Sequence, residues 1–363
     1  MRGSNRLVAA AFLACGSLTG CDPFGTGFDA VEGARTYRAP RIEPAELQKS
    51  ESGQPLLRVM NYNVKFGGGR IDFFFDCHGD RVLMKRSEVL ENLQGLAAKI
   101  DQVDPDVLFV QEIDVGSKRT AYVDQLQWLL DHSRLNYAVY ASQWRADYVP
   151  SDGIGAVDSG NAILSKFPLT GGTRIALALR SDQSGVERYF YLRRNLLRAD
   201  LAIEPPVRLV AVHAEAYSKD GTKRQHIDRF KEELDGAPGL VIGAGDLNTL
   251  PPGAVQVSDF PDSVCTNPEF IADDYGAEGD YLVALYGAYE AAIPLGDYLA
   301  DEPRHFTHTT DAGGFWNRKL DYVFTNAPVV PGSGMTHQDE SSGGMATMPL
   351  SDHAPLTVEV ALP

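Results

Sequence analysis

Residues 240–249 read LVIGAGDLNT. Leu240 to Ala244 carries no charge, and a short apolar run bounded by turn residues is the pattern of a strand buried on both faces. The run breaks at Gly245-Asp246-Leu247-Asn248, so a carboxylate and an amide stand where the strand leaves the core. The same pattern recurs outward in both directions. Leu56–Tyr62 ends in Asn63, Val107–Val110 ends in Gln111-Glu112, and Val207–Val212 ends in His213. Asp352-His353 precede a last run, Leu356–Ala361. Strand ends are where a rigid scaffold offers side chains to a cleft. Taken singly, each of these residues reads equally well as a turn residue, because Asn and Asp favour turns.

Helical spacing fills the gaps between the runs. Leu90, Leu93, Leu96, Ala97 and Ile100 mark a helix from Ser87 that Asp104-Pro105 stops. Further helices are expected over about Ala121–His132 and Lys223–Leu234. Strands are expected at Tyr137–Ala141, Gly160–Ser165, Asn195–Ile203, Val207–His213 and Leu320–Phe324, with Pro205-Pro206 turning a hairpin. Residues 70–84 read as a loop insertion carrying Phe73, Phe74, Phe75 and Cys77, and 251–305 as mixed and loop-rich. Strands that alternate with helices and then cluster as hairpins predict sheets covered by helices, a layered α/β sandwich.

The chain has 363 residues, 44% hydrophobic and 23% charged, which excludes a disordered chain, a collagen and a coiled coil. No run of about 18 uncharged apolar residues follows the N-terminus, so no spanning helix is expected there. Lys and Arg number 33 against 49 Asp and Glu, a net charge of −16. Such a field does not draw in nucleic acid, which argues against a DNA-coating protein. A nucleic-acid enzyme stays open, because bound divalent cations reverse the sign locally.

Residues 1–20, MRGSNRLVAAAFLACGSLTG, have the form of an export signal: Arg2 and Arg6, then a short apolar run from Leu7 to Cys15. Leu18-Thr19-Gly20-Cys21 resembles the bacterial lipobox. That resemblance implies cleavage before Cys21, lipidation of Cys21, and a lipoprotein anchored to a membrane outside the cytoplasm, in the periplasm or at the cell surface. An ordinary secreted protein is the other reading. Loss of the leader leaves 31 basic against 49 acidic residues, a net charge of −18. Residues 21–55 read as a lipidated flexible tether, which places the folded domain at 56–363. Cys77 and Cys265 permit a disulfide in an oxidising compartment.

Seven segments in order resemble the endonuclease/exonuclease/phosphatase, or DNase I-like, superfamily: NYNVKFGG (61–68), DVLFVQEI (106–113), GNAILSKFP (160–168), VHAEAYS (212–218), GAGDLNT (243–249), RKLDYVF (318–324) and SDHAPL (351–356). The resemblance implies a four-layered α/β/β/α sandwich and phosphoester hydrolysis with Mg²⁺, or Mn²⁺ or Ca²⁺ in its place. It assigns Glu112, Asn63 and Asp352 to the metal. Asp246 would activate the attacking water, Asn248 hold the phosphate, and His353, paired with Asp321, contact a phosphate oxygen. His213 matches a histidine that bacterial sphingomyelinases, inositol phosphatases and deadenylases set against the phosphate, and Asn161 falls in a matching segment as a substrate contact. The implied partners are a phosphoester substrate (nucleic acid, phospholipid head group, or inositol or sugar phosphate) and the membrane through the anchor; no protein partner is implied. The chemistry is consistent: a cation and an imidazolium offset charge building on the phosphorus oxygens, and a carboxylate near water serves as base. Cleavage of a phosphodiester is the leading expectation; the alternatives are a phosphomonoesterase acting on inositol or sugar phosphates and a non-catalytic binding module on the same fold, which predicts a missing catalytic position.

Other signals stay open. His305 and His308 have i, i+3 spacing without a third nearby ligand. Arg193, Arg194 and Arg198 fit either a phosphate site or a solvated strand face. The three phenylalanines fit either a core plug or a lipid- or substrate-facing loop, and Gly67–Gly69 read as a flexible turn.

Overall fold

The computed structural model describes residues 22–77, 79–263, 265, 273–311 and 313–363. In chain order its strands are β1 (Val31–Gly33), β2 (Arg35–Arg38), β3 (Gln48–Lys49), β4 (Pro55–Asn63), β5 (Val107–Asp114), β6 (Tyr137–Val149), β7 (Gly155–Ser165), β8 (Leu169–Ala176), β9 (Asn195–Leu201), β10 (Val207–His213), β11 (Leu240–Asp246), β12 (Glu290–Ala291), β13 (Asp321–Thr325), β14 (Met335–Thr336) and β15 (Leu356–Ala361). One sheet runs β1-β8-β9-β10-β11-β13-β12. The other runs β14-β15-β4-β5-β7-β6-β2, with β3 also on β4.

Each sheet holds a parallel pair joined through a helix. Helix Arg86–Val103 links β4 to β5, and helix Thr222–Asp235 links β10 to β11. The first helix starts where the Glu88 carboxylate accepts the Lys85 N–H at 2.7 Å, and it ends at Asp104, whose left-handed φ of 53° precedes Pro105.

The strands alternate between two cores. Leu57, Val59, Phe109 and Ile163 of one sheet meet Leu209, Ala211, Ile242 and Val323 of the other in a layer between them. The opposite faces are covered by helices. Met60, Tyr62, Leu108 and Val110 pack on Leu93, Leu96, Ile100, Leu126 and Leu129. Val210, Val212, Val241 and Phe324 pack on Ile227, Phe230 and Leu234. This is the expected four-layered α/β/β/α sandwich. Among the described residues no helix is long and apolar enough to cross a membrane.

Three expectations need correction. Residues 22–55 are not a loose tether: β1 pairs β8, β2 pairs β6, and Phe24 packs on Tyr189 and Phe190. The described body therefore begins near Asp22 rather than at residue 56. The helix expected over 121–132 is confined to Gln125–Asp131, because Ala121 and Tyr122 have positive φ and Asp124 caps it by accepting the Gln127 N–H at 3.0 Å. β6 runs to Val149, past the apolar stretch, since Arg145, Ala146 and Val149 still pair with β7 along a partly exposed ladder. Cys77 and Cys265 are bonded, with Cα atoms 5.7 Å apart.

Candidate active site

Asn63, Glu112, His213 and Asp246 all leave from the carboxyl ends of the two parallel pairs, the edge at which ligand sites form in open α/β sheets. The two sheets meet there through Asn63, whose Nδ2 donates to Glu112 Oε1 at 3.2 Å and to Asp246 Oδ2 at 3.1 Å. Local backbone features aim these groups. The β5–β7 register breaks between Val110 and Ile113, and Glu112 has φ +58°. A bulge of this kind turns a side chain out of the ladder, here into the cleft. Gly245 lets β11 lie tight on β10, because a Cβ there would meet the Val212 carbonyl oxygen at 1.8 Å.

Asp246 is the centre of the cluster. Its Oδ1 accepts the Asn248 N–H at 2.9 Å, and its Oδ2 lies 3.5 Å from His213 Nε2 and 3.6 Å from His353 Nε2. His353 Nδ1 is 2.7 Å from Asp321 Oδ2, and Asp321 Oδ1 accepts from Asn61, whose own oxygen accepts from Gln111. This buried chain fixes the imidazole's orientation.

The two histidines differ in charge. Burial would lower His353, but Asp321 and Asp246 outweigh it and raise it to about 10, so it is an imidazolium at neutral pH. Burial, then Arg194 and His353, hold His213 well below its ordinary value, so it is neutral. Burial pushes Asp246 up to about 7, with His353 pulling down and Asp321 pushing up.

A cavity of about 150 Å³ is lined by Glu112, His213, Asp246, Asn248, Asp352 and His353. Asn63 and Asp321 stand directly behind these residues through the bonds above. Asn161 is not brought into the lining. It is fully buried on the face of β7 shared with Ile163, and neither of its amide atoms finds a partner. Cys21 lies outside the described residues. His305 is buried away from the cavity, whereas His308 lines it, its ring 4.5 Å from that of His353.

The donor set fits a hard divalent cation. Glu112 is pushed up by its enclosure and by the charge of Asp352, a repulsion that a cation would relieve. Burial is outweighed at Asp352 by Lys65, His353 and Arg70, which keep it low and ionised. His308, Asp352 and His353 also bring ligand atoms within 4.8 Å of one another. Because protonated His353 has no lone pair to give, Glu112 and Asp352 are the better ligands, with neutral His308, whose Nδ1 has no partner, beside them. Asn63 uses its amide to bridge carboxylates, and its oxygen accepts the Lys65 N–H at 3.1 Å.

Sequence reasoning missed Lys65 and did not separate Arg194 from its neighbours. Lys65 Nζ lies 3.7 Å from Asp352 Oδ2 and 3.4 Å from Asp76 Oδ2. Arg194 lines the cavity and its Nε has no partner, while Arg198 pairs with Glu233 at 2.6 Å. Phe73 is a core residue, whereas Phe75 is 45% exposed and lines the cavity, so the triplet serves both roles.

The Endonuclease/Exonuclease/phosphatase family profile matches residues 60–353. An endonuclease/exonuclease/phosphatase from Beutenbergia cavernae is similar at 18% identity and a TM-score of 0.52, over 85% of this chain and 72% of that one. A functionally unknown conserved protein from Enterococcus faecalis is similar at 16% identity and 0.52, over 85% and 100%. A humanized D. rerio TDP2 is similar at 15% identity and 0.51, over 85% and 99%. At these identities the likeness to the solved structures is one of fold. Among curated proteins none matches the chain.

Proposed function

The chain belongs to the endonuclease/exonuclease/phosphatase family, whose members are phosphoric ester hydrolases, and from that premise we propose that it is a divalent-metal-dependent phosphodiesterase working outside the cytoplasm. The observation that supports this reading most is Asp246, a buried carboxylate set between a neutral imidazole and a charged one, each within 3.6 Å. Asp246 takes the proton of the attacking water, and its elevated pKa suits a base that works near neutrality. His353, held by Asp321, donates from Nε2 to a phosphate oxygen as negative charge builds there. His213 and the Asn248 amide orient that phosphate. Glu112 and Asp352 would hold the cation, which supplies charge neutralisation at the phosphoryl oxygens when bound. The substrate is a nucleic acid or a phospholipid head group.

Hydrolysis of bis(p-nitrophenyl) phosphate with Mg²⁺ or Mn²⁺ tests the reading. Activity should vanish in EDTA, and Asp246→Ala should lower the rate at least about 100-fold. Full activity in chelator, or a near-normal rate in the variant, contradicts it. Membrane attachment through Cys21 is a separate proposal. Cys21→Ala should move the protein from the membrane pellet to the soluble fraction, and continued sedimentation with membranes refutes it.

A further inference from the structure

His353 and His213 both face Asp246 through Nε2, but different groups stand behind the two rings. His353 Nδ1 lies 2.7 Å from a carboxylate oxygen of Asp321, a group that accepts. His213 Nδ1 lies 3.4 Å from the side-chain amide of Gln143. An amide can turn either its oxygen or its NH₂ to a neighbour, so its own partners must decide which. Arg194 decides it here. Its Nη1 lies 3.3 Å from Gln143 Oε1, and a guanidinium only donates. The oxygen therefore faces Arg194, and Gln143 Nε2 donates to His213 Nδ1.

The backbone is shaped to present this amide. Gln143 stands in β6 where the register against β7 shifts, between Ser142 and Trp144. A bulge re-aims the side chain it carries. The Gln143 carbonyl oxygen accepts the Arg193 N–H at 2.6 Å, which fixes the segment that brings in Arg194. Gln143, His213 and Arg194 are 1%, 2% and 7% exposed, so water competes little for these bonds. β6 and β10 belong to different sheets, so this bond crosses the sandwich, as the Asn61–Asp321 bond does behind the other histidine.

A donor behind Nδ1 leaves that nitrogen the acceptor and puts the proton of the neutral ring on Nε2. The cavity side agrees. His213 Nε2 faces Asp246 Oδ2 at 3.5 Å and Glu112 Oε1 at 3.9 Å, and carboxylates accept. Resting on the phosphodiesterase reading above, we propose that Gln143, oriented by Arg194, is a positioning residue that holds His213 as the Nε2–H tautomer. His213 then gives a neutral hydrogen bond to the bound phosphate and turns no lone pair toward the attacking water, whose proton goes to Asp246. One histidine is backed by an acceptor and the other by a donor, so two like rings do different work.

The first readout needs no catalysis. In the intact protein with ¹⁵N-labelled histidine and Mg²⁺, above neutral pH, the two nitrogen shifts of each ring report its tautomer, and a His213→Asn spectrum identifies the signals of His213. Native His213 should show Nδ1 bare and Nε2 protonated. Gln143→Glu, nearly the same in shape, should put a proton on Nδ1 and lower the rate on bis(p-nitrophenyl) phosphate at least about tenfold, the scale of a lost partner behind a functional histidine. Gln143→Met, which has no N–H to offer, should let both tautomers appear. A proton on Nδ1 in the native protein overturns the proposal without any variant. So does a His213 spectrum that stays native in either variant, or a native rate in Gln143→Glu once its ring has changed. A native protein with the expected tautomer and no activity on the diester refutes the phosphodiesterase reading instead.

Discussion

Lys319 shows how much the side chains around the site are constrained. It is 1% exposed, and its Nζ donates to the Asp321 backbone oxygen at 2.9 Å, 4.9 Å from the centre of the Tyr322 ring. Burial pushes it down from 10.5 to about 7. Between those values the unfolded chain holds a proton that the folded one does not, so stability rises with pH across the window. At and below about pH 7 the buried ammonium works against the fold. Lys319→Met should therefore raise the melting temperature at pH 6–7 and flatten its rise toward alkaline pH. An unchanged pH profile would show that the amine is not strained. At this scale Asn63, Glu112, His213, Asp246 and His353 were ambiguous one at a time, because a polar residue beside an apolar run also suits a turn, and only their occurrence together in an ordered set of segments singled them out. Arg194 was not legible. It lies just before β9 and reaches the cavity, whereas Arg198 lies inside β9 and pairs with Glu233, and neither the strand's start nor that partner can be read locally from three arginines.

Elements that bury both faces were the easiest to place, because their apolar runs need no partner to be recognised. β8 was missed. Its Gly171, Gly172 and Arg174 contradict a strand, yet Arg174 is 1% exposed and satisfied by the carbonyl oxygens of Ser142 and Arg193. β1 and β2 are short and polar, as edge strands are, and have no apolar face to read. The pairing of β10 with β11 carries the most functional weight, since His213 and Asp246 stand in register on it. Gly245→Ala should cost at least about 2 kcal/mol and most of the activity, because the clash is with backbone that cannot rotate away. Gly239→Ala, with no atom within 4 Å of its new Cβ, is the control that should be tolerated. Equal melting temperatures for the two variants would reject the close-approach argument.

Across the whole molecule, the N-terminal segment acts as a strap. It lays β1 on β8 and β2 on β6, covering an edge of each sheet, and Arg145 fastens it by donating to the carbonyl oxygens of Gly25 and Gly27. A chain begun at residue 56 should melt lower and aggregate more than one begun at residue 22, since both edges would be bare. Matching stability of the two would mean that the strap is decoration. The strap also bears on mooring. A free leash of 34 residues would give roughly 30 Å of play. Asp22 instead is already hydrogen-bonded to Tyr189, so acyl chains on the preceding cysteine would leave slack of only about one residue, near 3.8 Å. A body moored that short cannot sweep the surrounding fluid. Were Cys21 lipidated as proposed, it would meet only what reaches the lipid surface.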